Sequence, residues 1–117
     1  MVQKKIYELQ EEKWKVTRKD LTEKVFGKAL IPEGLTNVKI VLTKVESGGK
    51  FNQHSDDYHH VFYFLEGEGI GFLGGERYKI NPGLVVQVPA GEEHGYENTS
   101  DKDLQLITIN IPIDNNK

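Results

Sequence analysis

Apolar positions in this chain come in short bursts separated by turn residues, with no long stripe at helical spacing. Val38–Val45 (VKIVLTKV) is β-branched and partly alternating, and Ser47-Gly48-Gly49 is expected to end it. Val61–Leu65 (VFYFL) is a dense apolar run of strand length closed by Glu66-Gly67-Glu68-Gly69. Ile70–Leu73, a Gly74-Gly75 hairpin turn and Arg77–Ile80 follow, then the turn Asn81-Pro82-Gly83, the strand Leu84–Val88 and the turn Pro89-Ala90-Gly91. Leu104–Ile111 (LQLITINI) alternates cleanly before Pro112. Strands this short and this regularly punctuated predict a closed barrel or a two-sheet sandwich, all-β. Residues 7–25 carry no decisive pattern: EEKWK suits a helix, and a strand around Trp14–Thr17 suits the same residues. The polar end, Asp114–Lys117, is expected to fray.

Composition narrows the chemistry. At 117 residues, with 37% hydrophobic and 28% charged side chains, the chain has the size and balance of one globular domain over residues 1–117. A net charge of −3 offers no basic field for nucleic acid or an anionic membrane. There is no cysteine, so disulfides, thiolate zinc sites, iron–sulfur clusters and thiol nucleophiles are excluded, and any metal must be held by nitrogen and oxygen. MVQKKIYELQEEK lacks the apolar core of a signal peptide, and no later stretch is long enough to span a bilayer; a cytoplasmic location is the expectation.

The four histidines carry the candidate chemistry: His54, His59 and His60 fall within seven residues, and His94 lies two predicted hairpins away. Side chains of equal parity share one face of a strand. His54, Asp56, His60, Phe62 and Phe64 would then face one interior, with His59, Val61 and Tyr63 opposite; a bulge near Asp57-Tyr58 would exchange His59 for His60. Three imidazoles and a carboxylate suit one divalent transition metal (Mn, Fe, Co, Ni, Cu or Zn) better than calcium or magnesium. His59 is expected to orient a ligand through a hydrogen bond. Tyr96 shares parity with His94 and is the candidate catalytic proton donor, and Phe62 and Phe64 are the expected apolar lining of a substrate pocket.

Other patterns carry less. Gly69-Ile70-Gly71-Phe72-Leu73-Gly74 satisfies a dinucleotide-binding pattern, but a turn and a strand follow where a helix is needed, so these glycines belong to a hairpin. Glu66, Glu68, Glu92 and Glu93 sit in turns and read as solvated charges. Ser47 and Ser100 have no histidine–carboxylate context for a hydrolase.

The segment Gly83-LVVQV-Pro89-Ala90-Gly91-EE-His94-GYE-Asn98 resembles the second motif of the cupins, with every fixed position at its spacing. Gly48-Gly49 through His54 to Gly69 is similar to the first motif. The resemblance covers about residues 48–98 and implies a double-stranded β-helix, or jelly-roll barrel, with its site inside. Carried over by position, His54 matches the first histidine, Asp56 stands at the second histidine position and His60 at the glutamate position. A ligand set of His54, Asp56, His60 and His94 is thereby implied. So is a metal-dependent reaction on a small molecule, dioxygenase-like or a Lewis-acid isomerase or lyase reaction; the alternative is a non-catalytic module binding a sugar or effector. Small cupins pair through barrel edges, which implies a homodimer.

Overall fold

The computed structural model describes residues 6–32 and 34–113, so the expected frayed end at 114–117 lies outside the described residues. Among the described residues, nine strands run in the order β1 (Lys15–Val16), β2 (Thr22–Ala29), β3 (Lys39–His54), β4 (Tyr58–Glu66), β5 (Gly69–Leu73), β6 (Glu76–Ile80), β7 (Val85–Val88), β8 (His94–Glu97) and β9 (Leu104–Pro112). A 3-10 turn at Leu9–Glu11 precedes them, and no helix among the described residues is long and apolar enough to cross a membrane.

All neighbouring pairs are antiparallel. The strands line up as β6-β5-β8-β3-β9-β4-β7, with β2 on the other edge of β3 and β1 on β2. β3 belongs to both halves of this curled sheet. Its first part, Lys39 to Val45, pairs with β9, and its last part, Lys50 to His54, pairs with β8. β2 runs along both parts, Ala29 opposite Val41 and Thr22 opposite Phe51.

The expected end of this strand at Ser47-Gly48-Gly49 is therefore a bend. Gly48 takes a φ of +78°, open to glycine at little cost, and the strand turns from one half of the barrel into the other without losing its place in the sheet. Asn98 secures the bend. Its backbone N–H donates to Gly49 O at 2.9 Å and its carbonyl accepts from Gly48 N–H at 3.2 Å. Its side-chain amide donates to Val45 O at 2.9 Å and to Lys102 O at 2.6 Å, while Oδ1 accepts from the Ser100 N–H. The last residue of the second motif thus ties the β8–β9 loop to the hinge of β3.

Residues opposite one another in register share a face. His60 stands beside Asn110 and Val88, Phe62 beside Thr108 and Val86, and Phe64 beside Leu106. These inward rows close over Val25, Val45, Ile80, Tyr96 and Leu104 to form the core. The outward rows carry Val61, Tyr63, Val85, Ile107, Ile109 and Ile111. The hairpin glycines fit this packing: a Cβ on Gly71 would run into the Tyr78 ring, and one on Gly69 into the Glu97 carbonyl. Close approach, not a phosphate, is what requires them.

Three strands depart from expectation. β2 is absent from the sequence reading because Thr22–Ala29 (TEKVFGKA) mixes charges into both faces; pairing with β3 overrides that pattern. His94 begins β8, a strand that the punctuation between Gly91 and Leu104 does not mark. The ambiguous region 7–25 divides between the 3-10 turn, the two-residue β1 and the start of β2.

Candidate metal centre

His54 ends β3, His60 lies in β4 and His94 opens β8, with His54 directly opposite His94 in register. Between β3 and β4 the chain turns through Ser55, Asp56 and Asp57, so His54 and His60 meet from two strands, not from one extended segment. His54 and His94 rings are centred 4.5 Å apart, and His60 and His94 rings 4.6 Å apart. One donor atom from each of His54, Asp56 and His94 lies within 4.8 Å of the others.

The hydrogen positions follow from the neighbours. His54 Nδ1–H donates to Asn52 O at 2.8 Å, His94 Nδ1–H to Glu92 O at 2.9 Å, and His60 Nδ1–H to Asn110 Oδ1 at 2.7 Å. A ring whose Nδ1 carries the proton presents a lone pair at Nε2. All three Nε2 atoms point at the Asp56 carboxylate: His60 at 2.9 Å, His54 at 3.0 Å and His94 at 3.6 Å from Oδ2.

Charge sharpens the picture. Burial by itself would raise the Asp56 pKa, but the His60 hydrogen bond, the nearby His54 charge and Arg18 outweigh it and hold the carboxyl below its ordinary value. Burial lowers His94 against the hydrogen bond to Glu92, and His60 and His54 lower it further, so at neutral pH it is an uncharged donor. A carboxylate and imidazole lone pairs turned toward one another require positive charge between them. Protons on the His54 or His60 ring supply it in part; a divalent cation supplies it to every donor at once. Three nitrogen donors and one carboxylate oxygen are the donor set of a first-row transition ion, and the residues fit such a group.

The remaining candidates separate. His59 faces outward and accepts the Ala90 N–H at 2.9 Å; it touches none of the three imidazoles. Asn110 is the residue that orients a histidine, and the sequence reading passed over it. Its parity with Leu104, Leu106 and Thr108 was the available signal, a polar side chain closing an inward row. Tyr96 does point inward, 3% exposed, edge-on to Phe51, Phe62 and Phe64, and burial pushes its phenol far above its ordinary pKa. It can donate a hydrogen bond but is no base near neutrality.

Phe62 lies 5.5 Å from the His60 ring and 6.0 Å from the His94 ring, immediately beneath the donors. Phe64 is fully buried and cannot line an open pocket as expected; the aromatic side chains fill the space below the histidines. A cleft of about 380 Å³ lies instead beside the mouth, lined by Asn37, Lys39, Asp57, Tyr58 and Asn110 among others. Tyr58 packs edge-on against His60 at 4.9 Å. Glu92 and Glu93 are exposed, as solvated charges should be.

A jelly-roll barrel with histidines from opposed strands gathered at one mouth defines a cupin. The chain belongs to that family: the model described as Cupin domain matches residues 41–110, more than half of its length. Among curated proteins the chain is similar to the oxalate-binding protein of Thermotoga maritima, 32% identical over 60 residues, 51% of this chain and 49% of that protein. It is also similar to the HTH-type transcriptional activator RhaS of Escherichia fergusonii, 31% identical over 64 residues, 55% of this chain. The chain spans only 23% of the RhaS protein. Among solved structures it resembles a predicted oxalate decarboxylase of Thermotoga maritima, with a TM-score of 0.84, 21% identity and coverage of 93% of this chain and 100% of that one. The polyketide cyclase RemF of Streptomyces resistomycificus gives 0.83 and 20%, with coverage of 93% and 80%. At these identities the structural likeness is one of fold.

Proposed function

We propose that this chain is a metal-dependent cupin that holds one divalent transition metal at the barrel mouth and acts on a small molecule. His54, His60 and His94 would hold the ion through Nε2, with Asp56 as the carboxylate donor. The observation that carries this reading is the commitment of all three Nδ1 hydrogens to fixed oxygens, which turns three lone pairs and one carboxylate toward a common point.

The bound ion would supply Lewis-acid polarisation or, as iron or manganese, dioxygenase-like chemistry. The chain's own residues have narrower tasks. Asn110 and the carbonyls of Asn52 and Glu92 hold the rings in place, Phe62 keeps water from beneath the donors, and Tyr58 walls the approach beside His60. Tyr96 is the catalytic candidate only as a hydrogen-bond donor.

A second reading is a binding module without turnover. It is supported by the likeness to an oxalate-binding protein.

The test is metal analysis by plasma mass spectrometry on protein purified without a histidine tag, wild type beside His54→Ala and His94→Ala. Near-stoichiometric Mn, Fe, Co, Ni, Cu or Zn in the wild type, lost in both variants, is the expected result. No metal after reconstitution with each ion would leave the binding-module reading. Oxygen uptake, if iron or manganese is found, then separates turnover from binding.

The chain is also proposed to form a homodimer from a single domain. Tyr63, Leu65, Val85 and Ile111 stand exposed on the outer face of β4, β7 and β9, an apolar surface that suits a second copy better than water. Light scattering that gives a monomer mass at working concentration refutes this.

A further inference from the structure

Asp56 is a bridge. Its Oδ2 faces the three Nε2 atoms, and its Oδ1 lies 3.4 Å from Arg18 Nη1. Arg18 comes from the turn between β1 and β2, far from the histidines in sequence. The turn is pinned at two points, Leu21 N–H to Arg18 O at 2.8 Å and Asn52 N–H to Leu21 O at 2.9 Å, the second to the strand segment that carries His54.

The Arg18 guanidinium is incompletely used. Its contacts are Asp56 at 3.4 Å, Tyr58 Oη at 3.5 Å and Asp20 at 3.7 Å. An engaged guanidinium–carboxylate pair closes to about 2.7–2.9 Å and often forms two parallel bonds. The side chain is 39% exposed, so solvent and solutes reach it. With a divalent ion in place and neutral imidazoles, the ion and Arg18 stand against Asp56 and Asp20, leaving one positive charge uncompensated. Lys39 and Asp57 in the adjoining cleft offset one another.

We propose that Arg18 is a specificity residue and that the site takes a small carboxylate, one oxygen directed to the metal and the other to the guanidinium. This rests on the metal reading above. Asp56 reveals the position because its own carboxylate already spans it: one oxygen on the imidazole side, the other on the arginine. When the ligand arrives, Asp56 releases Arg18 and keeps its place toward the histidines. The cleft bounded by Tyr58 and Asn110 lies next to this position and offers room for the rest of a ligand larger than acetate.

The experiment uses the full chain loaded with Co(II), whose visible absorption reports on the metal's surroundings. Acetate is titrated against wild type, Arg18→Gln and Arg18→Lys, with acetamide as the uncharged isostere. Acetate shifts the band in wild type and acetamide does not. Arg18→Gln weakens acetate binding by about tenfold or more, the scale of a charge-assisted hydrogen bond, while Co(II) affinity stays within about threefold. Equal acetate affinity in wild type and Arg18→Gln, or equal response to acetate and acetamide, overturns the carboxylate assignment and leaves the metal reading standing. Failure of wild type to bind Co(II) overturns both. Should Arg18→Gln not fold, Arg18→Lys decides: it binds acetate more weakly than wild type if the planar fork holds the carboxylate, and equally well if it does not.

Discussion

His60 and Phe64 stand on the same inner face of β4, with Phe62 between them, yet they belong to different kinds of structure. Phe64 is completely buried, meets Phe62 and Tyr96 edge-on and lies beside Leu106. Its contribution is volume and area removed from water. His60 is nearly as buried, but both its ring nitrogens are committed, one to Asn110 and one toward Asp56. The floor of the barrel is held by shape, and the mouth by polar satisfaction. One strand serves both because the period of two puts all three side chains on one face, while depth along the barrel decides what each meets. Damage to the floor should therefore appear as lost stability, and damage to the mouth as lost binding.

The largest effect is expected at the floor. Phe64→Ala removes a ring with no room for its neighbours to collapse fully, and should cost about 3–5 kcal/mol in denaturant unfolding. Co(II) affinity of the folded fraction should change little; a large parallel loss of metal would show that floor and mouth are one unit.

Asn98 comes next, polar but structural. Asn98→Ala takes the side-chain donor from the Val45 carbonyl, leaves Lys102 O with the Ser100 hydroxyl alone and frees the bend of β3, and should cost about 2–3 kcal/mol in the same measurement. Because that bend leads to His54, a metal affinity that falls as steeply as stability would move Asn98 to the mouth's side of the comparison.

Asn110→Ala acts at the mouth alone. The His60 ring loses the acceptor that fixes its tautomer, and metal affinity should fall about 10–100-fold, with less than about 1 kcal/mol lost from the metal-free fold. Asn110→Asp keeps an acceptor oxygen and should retain most of the affinity. Calorimetric titration with Zn(II) measures both.

The smallest effect concerns pH. Burial raises the Tyr78 phenol from 10.0 to about 12. A phenol raised in the folded state is neutral in both states below pH 10, so its contribution there is complete. As pH rises from 10 toward 12 the unfolded chain ionises first, and stability falls. Tyr78→Phe should make this alkaline decline shallower, read as unfolding midpoints across that range. An unchanged slope would mean that the ring is not sealed beneath the sheet as Gly71 requires.

Much of this was legible in the chain itself. The turn residues delimited β4 to β7 and β9 to within a few positions, because alternation and Gly/Pro punctuation are local properties of strands. The spacing from Gly83 to Asn98 identified the family, but parity left His59 and His60 as alternatives that a bulge would exchange, and the assumption of one continuous strand was wrong: His54 ends β3, and β4 begins after a turn. Tertiary structure alone decided the rest. Pairing fixed β2 despite its charged pattern, and Gly48 proved a bend because β2 and Asn98 hold the strand on either side of it. Asn110 reaches His60, and Arg18 reaches Asp56, from elements distant in sequence, while the carbonyls of Asn52 and Glu92 hold His54 and His94 through backbone atoms that every residue carries. A local pattern specifies which face a side chain takes; only the folded, curled sheet specifies which other side chains, and which protons, it finds there.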